Sequence, residues 1–581
     1  MGEDYCMKKL IKFLKPYTVA VVAVIVFVFA QSISELYLPT LMSDIVDIGI
    51  VNGDIKYIIK IGGIMLIVAA GGTIFTILAS FLSSRVAAGF GRDLRNQVFS
   101  KVESFSIEEF EKIGTSSLIT RTTNDITQIQ QVVFMILRMM ISAPLMCIGG
   151  IIMAVSRDAE LSLVIVIVIP IIASLIFLIA KKGVPLFKVM QTKIDKLNLI
   201  LREELTGIRV IRAFNRSEHE KERFNKANLD LTKTASKAFK IMVSLMPLMM
   251  LLLNLTTISI IWFGGLRIDS GRMQVGDLMA FIQYVMQIMF SLFMLSMMFV
   301  MIPRASVSTN RINQVLEMET NIKDPKQPKK NTGKKGLVEF KNVSFSYPGA
   351  ERPVLNNLSF CAQSGKVTAI IGGTGSGKST VINLIPRFYD IDSGSILING
   401  IDIREMSQKE LRAKIGFVPQ KAVLFSGTIA DNIRYGKENA TVDEIQHAVD
   451  IAQATDFIIN MKDGFDSQIS QGGTNISGGQ KQRLSIARAL VRKPEIYLFD
   501  DSFSALDFKT DAKLRIALKK EIKDSTVIIV AQRVSTIMDA DQILVLDEGE
   551  IVGIGKHKEL LNTCKVYREI VSSQLSEEEL A

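Results

Sequence analysis

Apolar residues are spread unevenly along the chain. They crowd into positions before about 305, in runs too long for an ordinary soluble core. Crossing the hydrocarbon layer of a bilayer takes about 20 mostly apolar residues. Six stretches qualify, at roughly 17–38, 57–82, 132–155, 159–181, 241–264 and 277–301, and they predict six membrane helices. The first follows Lys8, Lys9, Lys12 and Lys15 and opens TVAVVAVIVFVFA, as a signal peptide would. No small-residue cleavage site follows it and five more spans do, so it reads as an uncleaved anchor. The excursions at about 83–131 and 182–240 keep helical periodicity with few breakers, which predicts helices continuing out of the membrane. Each needs a turn at its far end. Ser104–Thr115 and Ala213–Phe224 are the candidates, either as solvated tips or as short helices offered to a cytoplasmic partner.

Charge orients the spans. Arg85, Arg92, Arg95 and Lys101 follow the second span, and Lys181, Lys182, Lys188 and Lys193 follow the fourth. The opposite loops, about 48–56, 156–159 and 265–276, are short and nearly balanced. The positive-inside rule therefore places both termini in the cytoplasm of an integral, multi-pass protein of the cell membrane. The net charge of +10 admits nucleic-acid binding in principle. The basic clusters flank apolar runs, so topology accounts for them; the partner expected is membrane lipid, with no nucleic acid. Four dispersed cysteines and three dispersed histidines suggest neither a disulfide framework nor a metal centre of their own. Glu35 is the most conspicuous ionisable residue in the spans, a functional candidate by its setting. Its place near the outer end of the first span also allows it to reach interfacial water. The sixth span carries Met279, Met286, Met289, Met294, Met297, Met298 and Met301 with Phe290 and Phe293. Flexible, polarisable thioethers suit an undemanding apolar path, though ordinary packing accounts for them too.

The composition changes at 319–336, where lysine, proline and glycine without periodicity predict a solvated linker between a membrane domain at 1–318 and a second domain at 337–575, with a tail at 576–581. Strands then alternate with helical segments, an α/β pattern. A buried-strand run, Lys366–Gly372, leads into Gly373, Thr374, Gly375, Ser376, Gly377, Lys378, Ser379 and Thr380 and then an apolar helix start. This is the phosphate-binding GxxxxGK[ST] loop in its strand–loop–helix setting. Its glycines let backbone N–H groups approach ATP, Lys378 neutralises the β- and γ-phosphates, and Ser379 holds magnesium. A second buried strand, Ile496–Asp500, ends in the carboxylate expected on the magnesium side.

Asn475–Arg483, NISGGQKQR, narrows the class. Here the chain resembles the ATP-binding-cassette (ABC) ATPases, and with six preceding spans it resembles an exporter half-transporter: an all-α six-helix transmembrane domain followed by an α/β P-loop ATPase. The resemblance implies further roles. Tyr347 in FSYP stacks on adenine, and Gln420 in FVPQ contacts magnesium with Ser379 and Asp500. Ser477, Gly478, Gly479 and Gln480 form the signature that binds the γ-phosphate held by an opposite subunit, and Asp507 in SALD lies on the loop crossing that interface.

Two positions depart from the family pattern, and both belong to hydrolysis. Asp501 stands where a glutamate polarises the attacking water, and Gln532 where a histidine contacts the γ-phosphate. A softer departure is Gln471, where such exporters carry glutamate. Asp501 is one methylene, about 1.5 Å, short, and misplacement by about 1 Å costs on the order of 100-fold in a positioned reaction. Gln532 keeps hydrogen bonding but cannot become a cation as imidazole can. The pattern resembles the impaired-site subunit of heterodimeric bacterial multidrug exporters, which implies a second half-transporter and a hydrophobic small-molecule cargo. A lipid, peptide or siderophore transporter on the same plan, or a regulatory membrane ATPase that does not pump, stay open.

Overall fold

The computed structural model describes residues 12–329 and 335–574. Lys8, Lys9, Cys6, positions 330–334 of the linker and the tail lie outside the described residues, as do the side chains of Lys188, Met297 and Met298. The chain divides into two compact units, Met1–Ser104 with Ile113–Met318, and Phe105–Lys112 with Glu319–Ala581.

The first unit is helical. Its long helices are α1 (Lys12–Ile50), α2 (Ile55–Glu103), α4 (Thr115–Arg157), α5 (Leu163–Ala213), α6 (Ser217–Asp269) and α7 (Val275–Glu317); a short α3 (Ile107–Ile113) lies between α2 and α4. All six long helices contain a stretch apolar enough to span a membrane. At 49 and 51 residues, α2 and α5 rise about 75 Å at 1.5 Å per residue, more than twice the hydrocarbon thickness. They therefore continue out of the membrane, as their periodicity predicts. Large apolar side chains cover the outside of this unit, among them Val19 (86% exposed), Leu66 (74%) and Trp262 (70%). Such a surface is at home only against lipid tails. Inside, Val24, Val28, Ala79, Val86 and Leu137 form one buried cluster, and Ile172, Ile260, Phe281, Tyr284 and Ile288 belong to another. Of the sixth-span methionines, Met289 is buried while Met279 and Met286 are exposed.

Polar groups pin the short-loop side. Arg157 Nη1 lies 2.9 Å from Asp277 Oδ1. Ser43 Oγ donates to both Asp277 and Asp47 at 3.1 Å, and the Gly276 N–H donates to Asp47 at 2.6 Å. Arg267 joins Asp158 at 2.6 Å and also pairs with Glu160. These bonds fix where α1 ends. Glu35 lies 12 residues before Asp47, about 18 Å deeper along the helix.

The second unit holds a six-stranded sheet in the order Glu550–Gly555, Gln542–Asp547, Val367–Gly372, Thr526–Val530, Ile496–Asp500, Ile415–Val418. Five of these strands run parallel and only the first pair is antiparallel. A four-stranded antiparallel sheet (Leu355–Ala362, Val338–Phe345, Ser393–Ile398, Ile401–Asp402) packs its apolar face on the other side of the P-loop helix Lys378–Leu384. The strands Ile496–Asp500 and Thr526–Val530 are buried on both faces, as unbroken apolar runs in parallel sheets should be.

The tip between α2 and α4 belongs to this unit. Glu109 accepts from the Ser106 N–H and hydroxyl at 2.7 and 2.6 Å, and from the Asn321 N–H at 3.0 Å. Ile107 packs against the apolar cluster of the antiparallel sheet. The other tip carries an exposed Phe214. The start of the expected solvated linker is pinned: Asp324 Oδ1 accepts from the Gln408 N–H at 3.0 Å, and the Lys329 N–H donates to Glu405 O at 2.9 Å. Its proline and lysine content suits an extended, bonded strap as well as a free linker.

Candidate active site

In an open parallel sheet, ligands bind beyond the carboxyl ends of the strands. Here four neighbouring strands deliver the candidate residues to that edge. Val367–Gly372 leads into the P-loop, Thr526–Val530 toward Gln532, Ile496–Asp500 into Asp501, and Ile415–Val418 toward Gln420. Sheet register thus gathers groups that are far apart in sequence.

The P-loop is shaped by glycine where it must be. Gly377 has φ +92°, and a Cβ there would meet Leu355 Cδ2 at 2.6 Å. At Gly373 and Gly375 a Cβ would meet nothing within 4 Å, so that side of the loop is open. Lys378 Nζ folds across the loop and donates to Gly372 O at 3.0 Å and Gly373 O at 2.6 Å. Burial lowers its pKa, against the nearby charges of Asp501 and Asp500. Ser376 Oγ is buried without a hydrogen-bond partner in the chain. An ammonium parked on backbone carbonyls and an orphaned hydroxyl fit a loop that takes a phosphate chain. Thr380 is buried, and its hydroxyl meets Tyr347 Oη at 3.1 Å. Edge-to-face contacts with Phe345 and Tyr389, centroids 5.0 and 5.3 Å away, hold the Tyr347 ring.

Ser379 Oγ donates to Asp500 Oδ1 at 2.9 Å. Burial raises the Asp500 pKa, and the Asp501 charge adds to this; the Ser379 bond and Lys378 oppose it. Asp501 is buried and held at φ +45°, a conformation costly for a non-glycine residue. Its N–H donates to Val530 O at 3.0 Å, and its carbonyl accepts from Ser504 Oγ at 2.9 Å. Gln420 Nε2 donates to Asp501 Oδ2 at 3.3 Å, leaving the amide oxygen as its acceptor end. Hydroxyl, amide oxygen and carboxylate are the hard donors magnesium takes, so Ser379, Gln420 and Asp500 fit that ion. Gln532 is exposed, two residues past the end of the neighbouring strand Thr526–Val530.

Ser477 and Gln480 are not gathered at this edge. Ser477 caps the helix Gly478–Leu490: its Oγ accepts from the Gln480 N–H at 3.3 Å while Gln480 Oε1 accepts from the Ser477 N–H at 2.9 Å. Ser477 and Gly478 are exposed, and Gly479 is held close to Ala505 O. Asp507 caps the helix Phe508–Glu521, and hydrogen bonds from Thr510 hold its carboxyl below its usual range. Gln471 is exposed in the turn before the signature.

Sequence reasoning missed several supports. Gln574 Oε1 accepts from the Val534 N–H and its Nε2 donates to Gln532 O, both at 2.8 Å, holding the Gln532 loop. Gln482 Nε2 donates to Pro419 O at 3.2 Å, tying the signature helix to the Gln420 loop. Arg533 reaches Ser504 O at 3.3 Å and lies over the Phe508 ring. No periodicity marks such long-range partners.

Comparison with known proteins agrees with this geometry. Residues 21–292 match the ABC transporter transmembrane region and residues 355–504 the ABC transporter domain. An uncharacterised ABC transporter ATP-binding protein of Mycobacterium tuberculosis is 43% identical over 565 residues, 97% of either chain. An ATP-dependent lipid A-core flippase of Syntrophus aciditrophicus is 32% identical over 583 residues, covering 99% of this chain and 95% of that one. The structure of a bacterial Atm1-family ABC exporter with ATP bound superposes with a TM-score of 0.82 at 28% identity, over 96% of this chain and 99% of the other. Six spanning helices joined to a P-loop ATPase with this motif order make the chain an integral-membrane half-transporter of the exporter type, and it belongs to the ABC transporters.

Proposed function

We propose that this chain is the slow-site subunit of a heterodimeric exporter that moves hydrophobic or amphipathic small molecules, with both termini cytoplasmic. The observation that carries the reading is the hydrolytic edge: a short, backbone-strained carboxylate at Asp501, already engaged by Gln420, with the neutral Gln532 just past the end of the neighbouring strand. Nucleotide binding is retained on this reading, with Lys378, Ser379, Thr380 and Asp500 keeping the residue types the P-loop and magnesium need. Magnesium, held by Ser379, Gln420 and Asp500, supplies neutralisation of phosphate charge when bound. The exposed signature, Ser477 to Gln480, is intact and serves the partner's nucleotide. Closure of two ATPase units around ATP draws the inner ends of the helices together, and hydrolysis at the competent site resets them. Relatives named as a lipid A-core flippase and as a fatty acid transporter favour an amphipathic cargo.

The test is to purify the chain alone and together with a half-transporter bearing glutamate and histidine at the two positions. Expected are ATP binding by both preparations and turnover at least ten-fold faster in the mixed pair. Consensus-rate hydrolysis by the chain alone would overturn the assignment.

A further inference from the structure

Three of the membrane helices bring four polar side chains together inside the span. Gln31 Nε2 donates to Glu35 Oε1 at 2.9 Å. Arg138 Nη1 donates to Gln31 Oε1 at 3.2 Å, bridging α4 to α1. Gln287 Nε2 donates to the Glu35 carbonyl at 3.3 Å from α7, and Gln287 Oε1 is buried with no hydrogen-bond partner.

The depth of the cluster follows from helix rise. Counted from the short-loop side, Glu35 is about 18 Å along α1 from Asp47, Gln287 about 15 Å along α7 from Asp277, and Arg138 about 28 Å along α4 from Arg157. On an apolar layer about 30 Å thick the cluster runs from the middle toward the far side, and the long Arg138 side chain reaches back to Gln31. It lies in a π-helical turn, Ile136–Met140, and such turns concentrate at functional sites. Ionisable groups at this depth are costly and tend to mark a substrate or ion path.

The chemistry of the cluster is divided. At one end the Glu35 carboxylate and the orphaned Gln287 Oε1 both accept hydrogen bonds; at the other Arg138 donates them. The two charges are joined through one amide and stand no more than about 8 Å apart, two hydrogen bonds plus the amide width. Neither an anion nor a cation alone satisfies both ends. A lone anion meets Glu35, and a lone cation meets Arg138, in a low-dielectric setting where like charges repel strongly. A head that carries an ammonium and an acid satisfies both and displaces the Gln31 bridge.

We propose that Gln31, Glu35, Arg138 and Gln287 form a site among the spanning helices for the head of a zwitterionic amphiphile, the ammonium meeting Glu35 and Gln287 and the acid meeting Arg138. This deepens the export reading and rests on it.

The test uses the full chain with its partner in non-ionic detergent and three probes with the same tail: dodecyl phosphoethanolamine, dodecyl phosphate and dodecylammonium. Stimulation of ATP turnover is titrated against each. The wild-type pair is expected to reach half-maximal stimulation with the zwitterion at about one-tenth the concentration the other two require. Glu35→Gln should remove the preference over dodecyl phosphate, and Arg138→Gln the preference over dodecylammonium. The exchanged pair, Glu35→Arg with Arg138→Glu, keeps both charges and should recover part of the zwitterion preference, which separates loss of recognition from misfolding. Equal responses to the three heads, no response to any, or a preference untouched by both single variants would each overturn the site. Failure of the slow-site part of that reading shows separately, as consensus-rate turnover by the chain alone, and the head preference is then read on the chain alone.

Discussion

At the scale of single residues, the altered edge makes two quantitative predictions. Asp501→Glu restores the missing methylene and Gln532→His restores a group that can take a proton. Together they should raise ATP turnover of the chain alone by about 10- to 100-fold, given the cost of about 1 Å of misplacement, and Asp501→Glu alone should recover the larger part. Steady-state phosphate release checks both. The second prediction concerns Asp500. Its folded pKa is raised by burial, so the folded state holds this proton more tightly than the unfolded chain does. That advantage is complete below the ordinary value of 3.8 and is lost as pH rises through the raised value. Nucleotide-free Asp500→Asn protein should therefore gain thermal stability over wild type as pH goes from acidic to neutral. A gain of a few degrees is expected, since about 1 kcal/mol moves Tm by about 2–4 °C in a domain of this size. Melting curves at stepped pH settle it; a difference that does not change with pH removes the argument. Both departures were legible in the sequence because the flanking motifs fix their positions. Gln574 was not, because it lies 42 residues from Gln532 and acts through a carbonyl.

At the scale of elements, hydropathy located all six spans, because a run of about 20 apolar residues matches the thickness of a bilayer and exceeds what most soluble cores bury in one stretch. Its blind spot is the charge it averages away. Arg138 sits within VVFMILRMMISAPLM, and its significance appears only when α4 packs beside α1 and meets Gln31. Glu35 was visible in the sequence but its partner Gln287 was not, because Gln287 comes from a helix 252 residues further along the chain. The described part of the linker is mostly exposed and carries no helix or strand, but composition cannot say that Asp324 and Lys329 have backbone partners around 405–408. The same bonds on the short-loop side make an element-scale prediction. Arg157→Ala leaves Asp277 with only Ser43 from the pairs described and should destabilise the folded chain by about 1–3 kcal/mol, the usual cost of unpairing a partly buried charge. Arg157→Lys should recover part of it. Fluorescence-monitored thermal melts in detergent give the comparison.

At the scale of the whole molecule, the proposed function has the two halves of the ATPase motif set serve different nucleotides. The strand ends collect Lys378, Ser379, Asp500, Asp501 and Gln420 around the chain's own site. Ser477 and Gly478 are presented to solvent at a capped helix start instead. If the chain's own site is slow, most turnover in the mixed pair passes through the site its signature completes. Equivalent lesions then have unequal effects. Ser477→Ala removes the hydroxyl that caps the exposed start of the signature helix and should cost the pair at least ten-fold more turnover than Asp501→Asn in the same chain. The N-cap loss, about 1 kcal/mol, is too small to explain such a ratio and can be measured separately from the melt. In a pair of two competent sites, Asp501→Asn would instead be the more damaging change, because it removes a working base. Phosphate release from the two variant pairs, each with an unaltered partner, therefore distinguishes a divided machine from a symmetric one, and does so without knowledge of the cargo.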